Sequence, residues 1–151
     1  MADKTIQLQI ITPEKVVFNE VVSQVTIPTT EGEITILPGH IALISSLASG
    51  DIVARVNSED VPMAVSGGFI EVQPPDGGEN TTSVKILADF AEHVSDLSED
   101  AVAKARARAE ELKRMKDNNE VVDFEHYEAE LERSLTRVKI ADKWKNRKYR
   151  M

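Results

Sequence analysis

Cysteine is absent from the 151-residue chain, which excludes disulfides, thiolate metal sites and cysteine nucleophiles together. Long apolar runs are missing too, and no stretch approaches the roughly 20 residues that a membrane-spanning helix requires. The N-terminal Met-Ala-Asp-Lys-Thr leads into no apolar segment and so does not read as a secretory signal. Aromatic residues are scarce, with four Phe, two Tyr and one Trp, so a core must be packed chiefly from aliphatic side chains. The signatures of phosphate-binding loops, dinucleotide folds, serine hydrolases and zinc peptidases are also lacking. His40, His93 and His126 have no metal-ligand spacing to one another, and each reads as an ordinary surface or hydrogen-bonded histidine. Glu99-Asp100 and Glu110-Glu111 fall where helix starts and exposed helix faces are expected, not as an acid–base pair in an apolar site. The chain therefore reads as non-enzymatic, with no metal or cofactor.

Charge is present but uneven. Residues 1–90 hold four basic side chains (Lys4, Lys15, Arg55, Lys85) against 12 acidic ones, whereas residues 91–151 balance at 14 of each. Lys139 to Arg150 contains six basic residues and a single acid, Asp142. An acidic front with a basic tail argues against general nucleic-acid binding and for a local acidic partner at the C-terminal end. The plainer alternative is a solvated helix end whose cations complement the helix dipole.

Two hydrophobic periods divide the chain. Ile6, Leu8 and Ile10 alternate with polar residues, as do Val16 and Phe18, Val25 and Ile27, Ile34 and Ile36, and Val84 and Ile86. Ile52, Ala54 and Val56, then Val61, Met63 and Val65, continue the period of two. Thr12-Pro13, Glu31-Gly32, Pro38-Gly39, Gly50-Asp51, Asn57-Ser58, Gly67-Gly68 and Pro74 to Gly78 supply turn signals between runs. Short strands at this spacing predict an antiparallel β-sandwich over residues 1–91.

Beyond Ala91 the period lengthens. Ser98 to Lys116 contains neither Gly nor Pro, and Ala101, Ala105, Ala109 and Leu112 share one helical face. Asp117 to Glu120 breaks that pattern, and Asp123 is placed to cap a second helix. Phe124, Tyr127, Leu131, Leu135 and Val138 predict its apolar stripe. The class is thus α+β, with an antiparallel two-helix hairpin over residues 92–151. Two helices of about 20 residues cannot sustain a core alone, so the hairpin must lean on the sandwich, on a partner, or on each in turn.

Three ordered motifs carry a resemblance. They are Glu31-Gly32-Glu33-Ile34-Thr35-Ile36-Leu37-Pro38-Gly39-His40 with Ile41 to Ile44, Leu47 and Gly50; Val65-Ser66-Gly67-Gly68-Phe69-Ile70-Glu71-Val72; and Ile86-Leu87-Ala88-Asp89-Phe90-Ala91-Glu92. With Arg108-Ala109-Glu110 after an alanine-rich run, they resemble the epsilon subunit family of F-type ATP synthases, called delta in mitochondria. The likeness covers nearly the whole chain. Pro38 and Gly39 turn the chain and present His40 at a sheet edge or end. Gly67-Gly68 suits a hairpin turn or a bulge where another backbone comes close, with no further role.

The resemblance implies a sandwich that binds the gamma subunit and sits on the c-ring, with Glu31, Glu33 and His40 as the c-ring contacts. It implies a hairpin that lies on the sandwich or extends along gamma to the catalytic α/β subunits, restraining ATP hydrolysis there. Arg133, Arg137, Lys139, Lys143 and Arg147, with Ile140 and Trp144 as an apolar anchor, are the expected contacts for that second pose. Packing inside the hairpin is the alternative for Trp144. It also implies a peripheral site on the cytoplasmic face of a bacterial inner membrane, a thylakoid or another energy-transducing membrane being the alternative. Contact with the membrane itself would be only indirect. Some bacterial members bind ATP through [I/L]-D-x-x-R-A; the matching stretch here is Leu97 to Val102, with Ser98 in place of the Asp and Ala101 in place of the Arg. ATP binding by the isolated chain is therefore expected to be weak or absent. The segment Pro74 to Ser83 is longer than usual for the family and receives no function. A rival reading from another class is a free-standing β-sandwich adaptor whose hairpin recruits an unrelated protein.

Overall fold

The computed structural model describes residues 4–121 and 123–150. Strands β1 (Thr5–Ile11), β2 (Val16–Val22), β3 (Gln24–Thr29), β4 (Gly32–Ile36), β5 (Leu43–Ser46), β6 (Gly50–Val56), β7 (Glu59–Gln73) and β8 (Thr81–His93) precede any α-helix. A 3-10 turn (Val94–Asp96) leads into α1 (Glu99–Asp117) and α2 (Phe124–Trp144). Alternation sets the sandwich: Ile6, Leu8 and Ile10 of β1 and Ile52 and Ala54 of β6 are fully buried, while their sequence neighbours point outward.

The two long strands build both layers. The first half of β7 pairs with β6 and its second half with β5, while β8 pairs with β1 over residues 81–87. One layer is β2-β1-β8-β7-β5 and the other β8-β7-β6-β3-β4. Between them β2 touches β6 without pairing to it, across a core of aliphatic side chains. Every pairing is antiparallel except β1 with β8, which runs parallel from Thr5↔Thr81 to Ile11↔Leu87.

Gly67-Gly68 corrects the turn expectation. Both lie within β7, whose register with β8 is the same on either side of Gly67, from Met63↔His93 to Ser66↔Phe90 and from Gly68↔Ala88 to Gln73↔Ser83, so they form neither a hairpin turn nor a bulge. The in–out alternation changes phase there. Val61, Met63 and Val65 are buried before the pair and Ile70 and Val72 after it, matched on β8 by Ala91 and by Val84, Ile86 and Ala88. Positive φ at both glycines (+69° and +121°) permits the change as the strand passes from one layer to the other. Gly50-Asp51 is also no turn, being the first two residues of β6. Asn57-Ser58 is one: φ of 51° and 67° join β6 to β7 in a two-residue hairpin.

The helices begin and end on local chemistry. Ser98 caps α1 by accepting from the Ala101 amide at 3.1 Å, and Asp123 caps α2 by accepting from the His126 amide at 3.1 Å. Asn119, at φ 56°, closes α1: its amide donates to the Lys116 carbonyl and that of Glu120 to the Met115 carbonyl. Ala105, Ala109 and Leu112 are buried, as their spacing predicts. The stripe expected on α2 is only partly so. Tyr127 is buried, but Phe124 is 54% and Leu135 41% exposed, while Ser134, Thr136, Ile140 and Trp144 are buried instead. The cause is a second partner. α2 packs on α1 with one side and on the outer face of β6 and β7 with another.

Candidate functional site

The residues expected at the c-ring do not form one cluster. Glu31 sits in the β3–β4 turn and Glu33 early in β4, both exposed. His40 follows the far end of β4, in a loop held by the Gly39 amide donating to Thr82 Oγ1 at 2.7 Å. It is half-buried, with Nδ1 2.7 Å from the Ile41 carbonyl. A full strand length thus separates Glu31 from His40.

An apolar surface lies beside this loop. Ile44 (78% exposed), Phe69 (60%) and Leu87 (56%) share the outer face of the β5-containing layer, Phe69 directly opposite Leu87 in the β7–β8 ladder. With Glu71 and Lys85 they line a shallow depression of about 120 Å³, and Ile41 and Leu37 extend the exposed apolar surface along the loop. Apolar side chains gathered in water on one face are the kind of surface that protein interfaces use. The signal was present in the pattern of strands, since a buried Ile70 requires Phe69 to point outward. Spacing alone did not single it out, because the phase change at Gly67-Gly68 hides which residues of β7 face the core.

The opposite outer face carries the hairpin. Ile140 and Trp144 pack with Ala64 and Val94, not inside the hairpin. Lys143 Nζ and Trp144 Nε1 donate to Asp51 of β6 at 2.8 and 2.9 Å. Arg137 donates to Glu92 at 2.8 Å, and its guanidinium lies 4.8 Å from the Phe90 ring centre, with Arg133 at 5.8 Å from the same ring. Arg147 stands over Trp144 at 5.7 Å, and Lys139 is exposed. Beyond the helix, the Arg150 amide donates to the Asp60 carbonyl at 2.7 Å and its guanidinium to Glu20 at 2.9 Å. The acidic partner anticipated for the basic tail is, in this pose, the front half of the same chain.

Ser98 and Ala101 stand where the nucleotide motif would be. Ala101 borders a cleft of about 450 Å³ that also meets Lys104, Arg108, Arg133 and Arg137. Arg108 is already held by Glu130 at 2.6 Å and Glu111 at 3.1 Å, and Arg137 by Glu92. Among the described residues no group of His, Asp or Glu could hold a metal ion. His93 is hydrogen-bonded, Nε2 lying 3.0 Å from the Val17 carbonyl.

Comparison with known proteins decides the family. The model for the delta/epsilon chain of ATP synthase, beta-sandwich domain, matches residues 5–94. The chain belongs to this family. Within it, the ATP synthase epsilon chain of Nitratidesulfovibrio vulgaris is 37% identical over 138 residues, covering 91% of this chain and 96% of that one. The epsilon chain of Herpetosiphon aurantiacus is 37% identical over 142 residues, covering 94% and 98%. Both matches run past the sandwich into the hairpin. Among solved structures, a chain of the Euglena gracilis mitochondrial ATP synthase, in a structure of its OSCP/F1/c-ring, shares the fold at a TM-score of 0.61. It is 22% identical and covers 96% of this chain and 82% of that one. No helix of the described residues in this delta/epsilon family member is long and apolar enough to cross a membrane.

Proposed function

We propose that the chain is the non-catalytic central-stalk subunit of a rotary F-type ATP synthase. In this reading it couples c-ring rotation to the catalytic head through gamma, and restrains ATP hydrolysis when its hairpin extends. It would sit peripherally on the cytoplasmic face of a bacterial inner membrane, held there through the complex. The observation that carries this is the two-sided sandwich. One outer face presents Ile44, Phe69 and Leu87 to solvent, and the other is covered by the hairpin.

The apolar face suits the gamma subunit, since a stalk contact that bears torque needs a dry, fixed patch. Glu31, Glu33 and His40 remain the proposed c-ring contacts; the two ends of β4 would then meet different parts of the ring, or His40 would share the gamma side. The hairpin suits a switch because its hold on the sandwich is divided among a few apolar contacts and part-exposed ion pairs. Ile140 and Trp144 are its large apolar anchors on the sandwich, each contributing about 1.5–3 kcal/mol on burial. A partner with a few kcal/mol of preference for the extended pose redistributes such a pair of states. Arg133, Arg137, Lys139, Ile140, Lys143, Trp144 and Arg147 would then meet acidic and apolar surfaces of the catalytic subunits.

Reconstitution tests the reading. The full chain and a version ending at Leu97 are added to a gamma-containing catalytic complex lacking its own epsilon. The expected result is binding by both and slowed hydrolysis with the full chain alone. Failure of both to bind overturns the stalk assignment; binding without inhibition by either overturns the brake. ATP binding by the isolated chain is proposed to be weak or absent, because Ala101 supplies no cation and Arg108 and Arg137 are already paired. Equilibrium dialysis returning a micromolar affinity for ATP would refute this.

A further inference from the structure

Asp51 is the one charged side chain buried among the described residues, at 6% exposure. It lies on β6 directly across from Ala64 of β7, on the outer face that α2 covers. Both carboxylate oxygens are satisfied by α2: Lys143 Nζ reaches Oδ1 at 3.0 Å and Oδ2 at 2.8 Å, and Trp144 Nε1 reaches Oδ2 at 2.9 Å. Among the described residues, no group of the sandwich hydrogen-bonds this carboxylate. A buried carboxylate needs such partners, and here an element outside the sandwich supplies them. Remove α2 and water takes over both oxygens. Asp51 therefore contributes to docking and not to the folding of the strand that bears it.

The other ion pairs across this junction differ in kind. Arg137–Glu92 and Arg150–Glu20 have side chains between 28% and 41% exposed, so water competes for them throughout. Lys143 is as open to water as those arginines, at 37%, but the Asp51 side chain is 8% exposed, so here the carboxylate itself is shielded. Tyr149 packs against the Trp144 cluster, edge-on to the Trp144 ring with centroids 5.9 Å apart.

We propose that Asp51 is the latch of the hairpin, a positioning residue that sets how often α2 leaves the sandwich. The proposal rests on the reading that the hairpin has a second, extended pose. Asp51 occupies two groups, Lys143 and Trp144, that are the expected contacts for the catalytic subunits. Its carboxylate thus competes with an external partner for the same donors. Docked and braking states exclude one another through shared side chains, without any third site.

The chain's single tryptophan is Trp144, so its emission reports on the latch without labelling. The experiment compares the full-length wild type, Asp51→Ala, and Glu71→Gln as a charge control on the other layer. Acrylamide quenching of Trp144 is expected to rise at least twofold in Asp51→Ala and to stay unchanged in Glu71→Gln. Because Asp51→Ala also removes a hydrogen bond from the indole, amide exchange is measured in parallel. Protection over residues 126–143 should fall at least tenfold while β1 and β8 keep theirs. Unchanged α2 exchange overturns the latch, and so does loss of protection in β1 and β8, which would make Asp51 a residue of the sandwich fold. In the reconstituted complex, Asp51→Ala should inhibit hydrolysis at least twofold more than wild type at equal occupancy. A released α2 with inhibition equal to that of wild type would overturn the competition between Asp51 and the catalytic subunits, whereas no inhibition by either chain would overturn the brake.

Discussion

Gly68 shows how much one residue decides. Its φ is +121°, and a Cβ there would collide with the Leu87 carbonyl oxygen and stand 2.9 Å from the Ala88 Cα. The obstacle is backbone of a central strand, which cannot rotate away as a side-chain tip could. Gly68→Ala is expected to destabilise the sandwich by at least about 2 kcal/mol, read as a lowered urea midpoint. An unchanged midpoint would mean that β8 yields at this position. Sequence marked the glycine pair as special, and its two candidate reasons were a turn and a bulge at a close backbone. Neither the turn nor the bulge is present, and only the close backbone is, because a long strand that changes layers needs positive φ while keeping one register on either side.

At the scale of elements, the hairpin is governed by which sides of α2 are covered. The cap of α2 was legible in the residues themselves, since Asp123 acts on an amide three positions away; Ser98 caps α1 in the same way but was not singled out for it. The buried face of α2 was not legible. Phe124 and Leu135 satisfy a helical period yet stay exposed, because α2 turns toward β6 and β7 through Thr136, Ile140 and Trp144. Across the hairpin, Arg108 donates to both oxygens of Glu130 at 2.6 and 3.2 Å and holds that carboxyl below its ordinary value of 4.5. A group depressed in the folded state adds stability that is full above its unfolded pKa and is lost as pH falls through the folded one. Protection of α1 and α2 amides, corrected for intrinsic exchange, should therefore decline on acidification below about pH 4.5. Glu130→Gln should remove part of that decline. Since both side chains are a third or more exposed, the effect will be modest. Identical pH profiles for wild type and variant would show that the pair does not hold the hairpin closed.

For the whole molecule, the consequence is a sandwich with two differently used faces. The hairpin face binds its own chain, and the Ile44–Phe69–Leu87 face, exposed in this structure, is the one proposed for gamma. Phe69→Glu should leave the melting temperature of the free chain nearly unchanged, as the side chain is already in water. It should weaken association with the gamma-containing complex at least tenfold, measured by titration. Unaltered affinity would move the gamma contact elsewhere on the sandwich.

Residue order alone carried the α+β class, the cap at Asp123 and the family, because these depend on local periodicity and on motifs contiguous along the chain. Contacts distant in sequence lay beyond it. The pairing of Asp51 with Lys143 and Trp144 spans more than 90 residues, and the parallel union of β1 with β8 joins opposite ends of the sandwich sequence. The exposure of Phe69 depends on where β7 crosses between layers. Such features follow from which faces meet once the strands have closed, since a side chain's burial is set by what the fold lays over it.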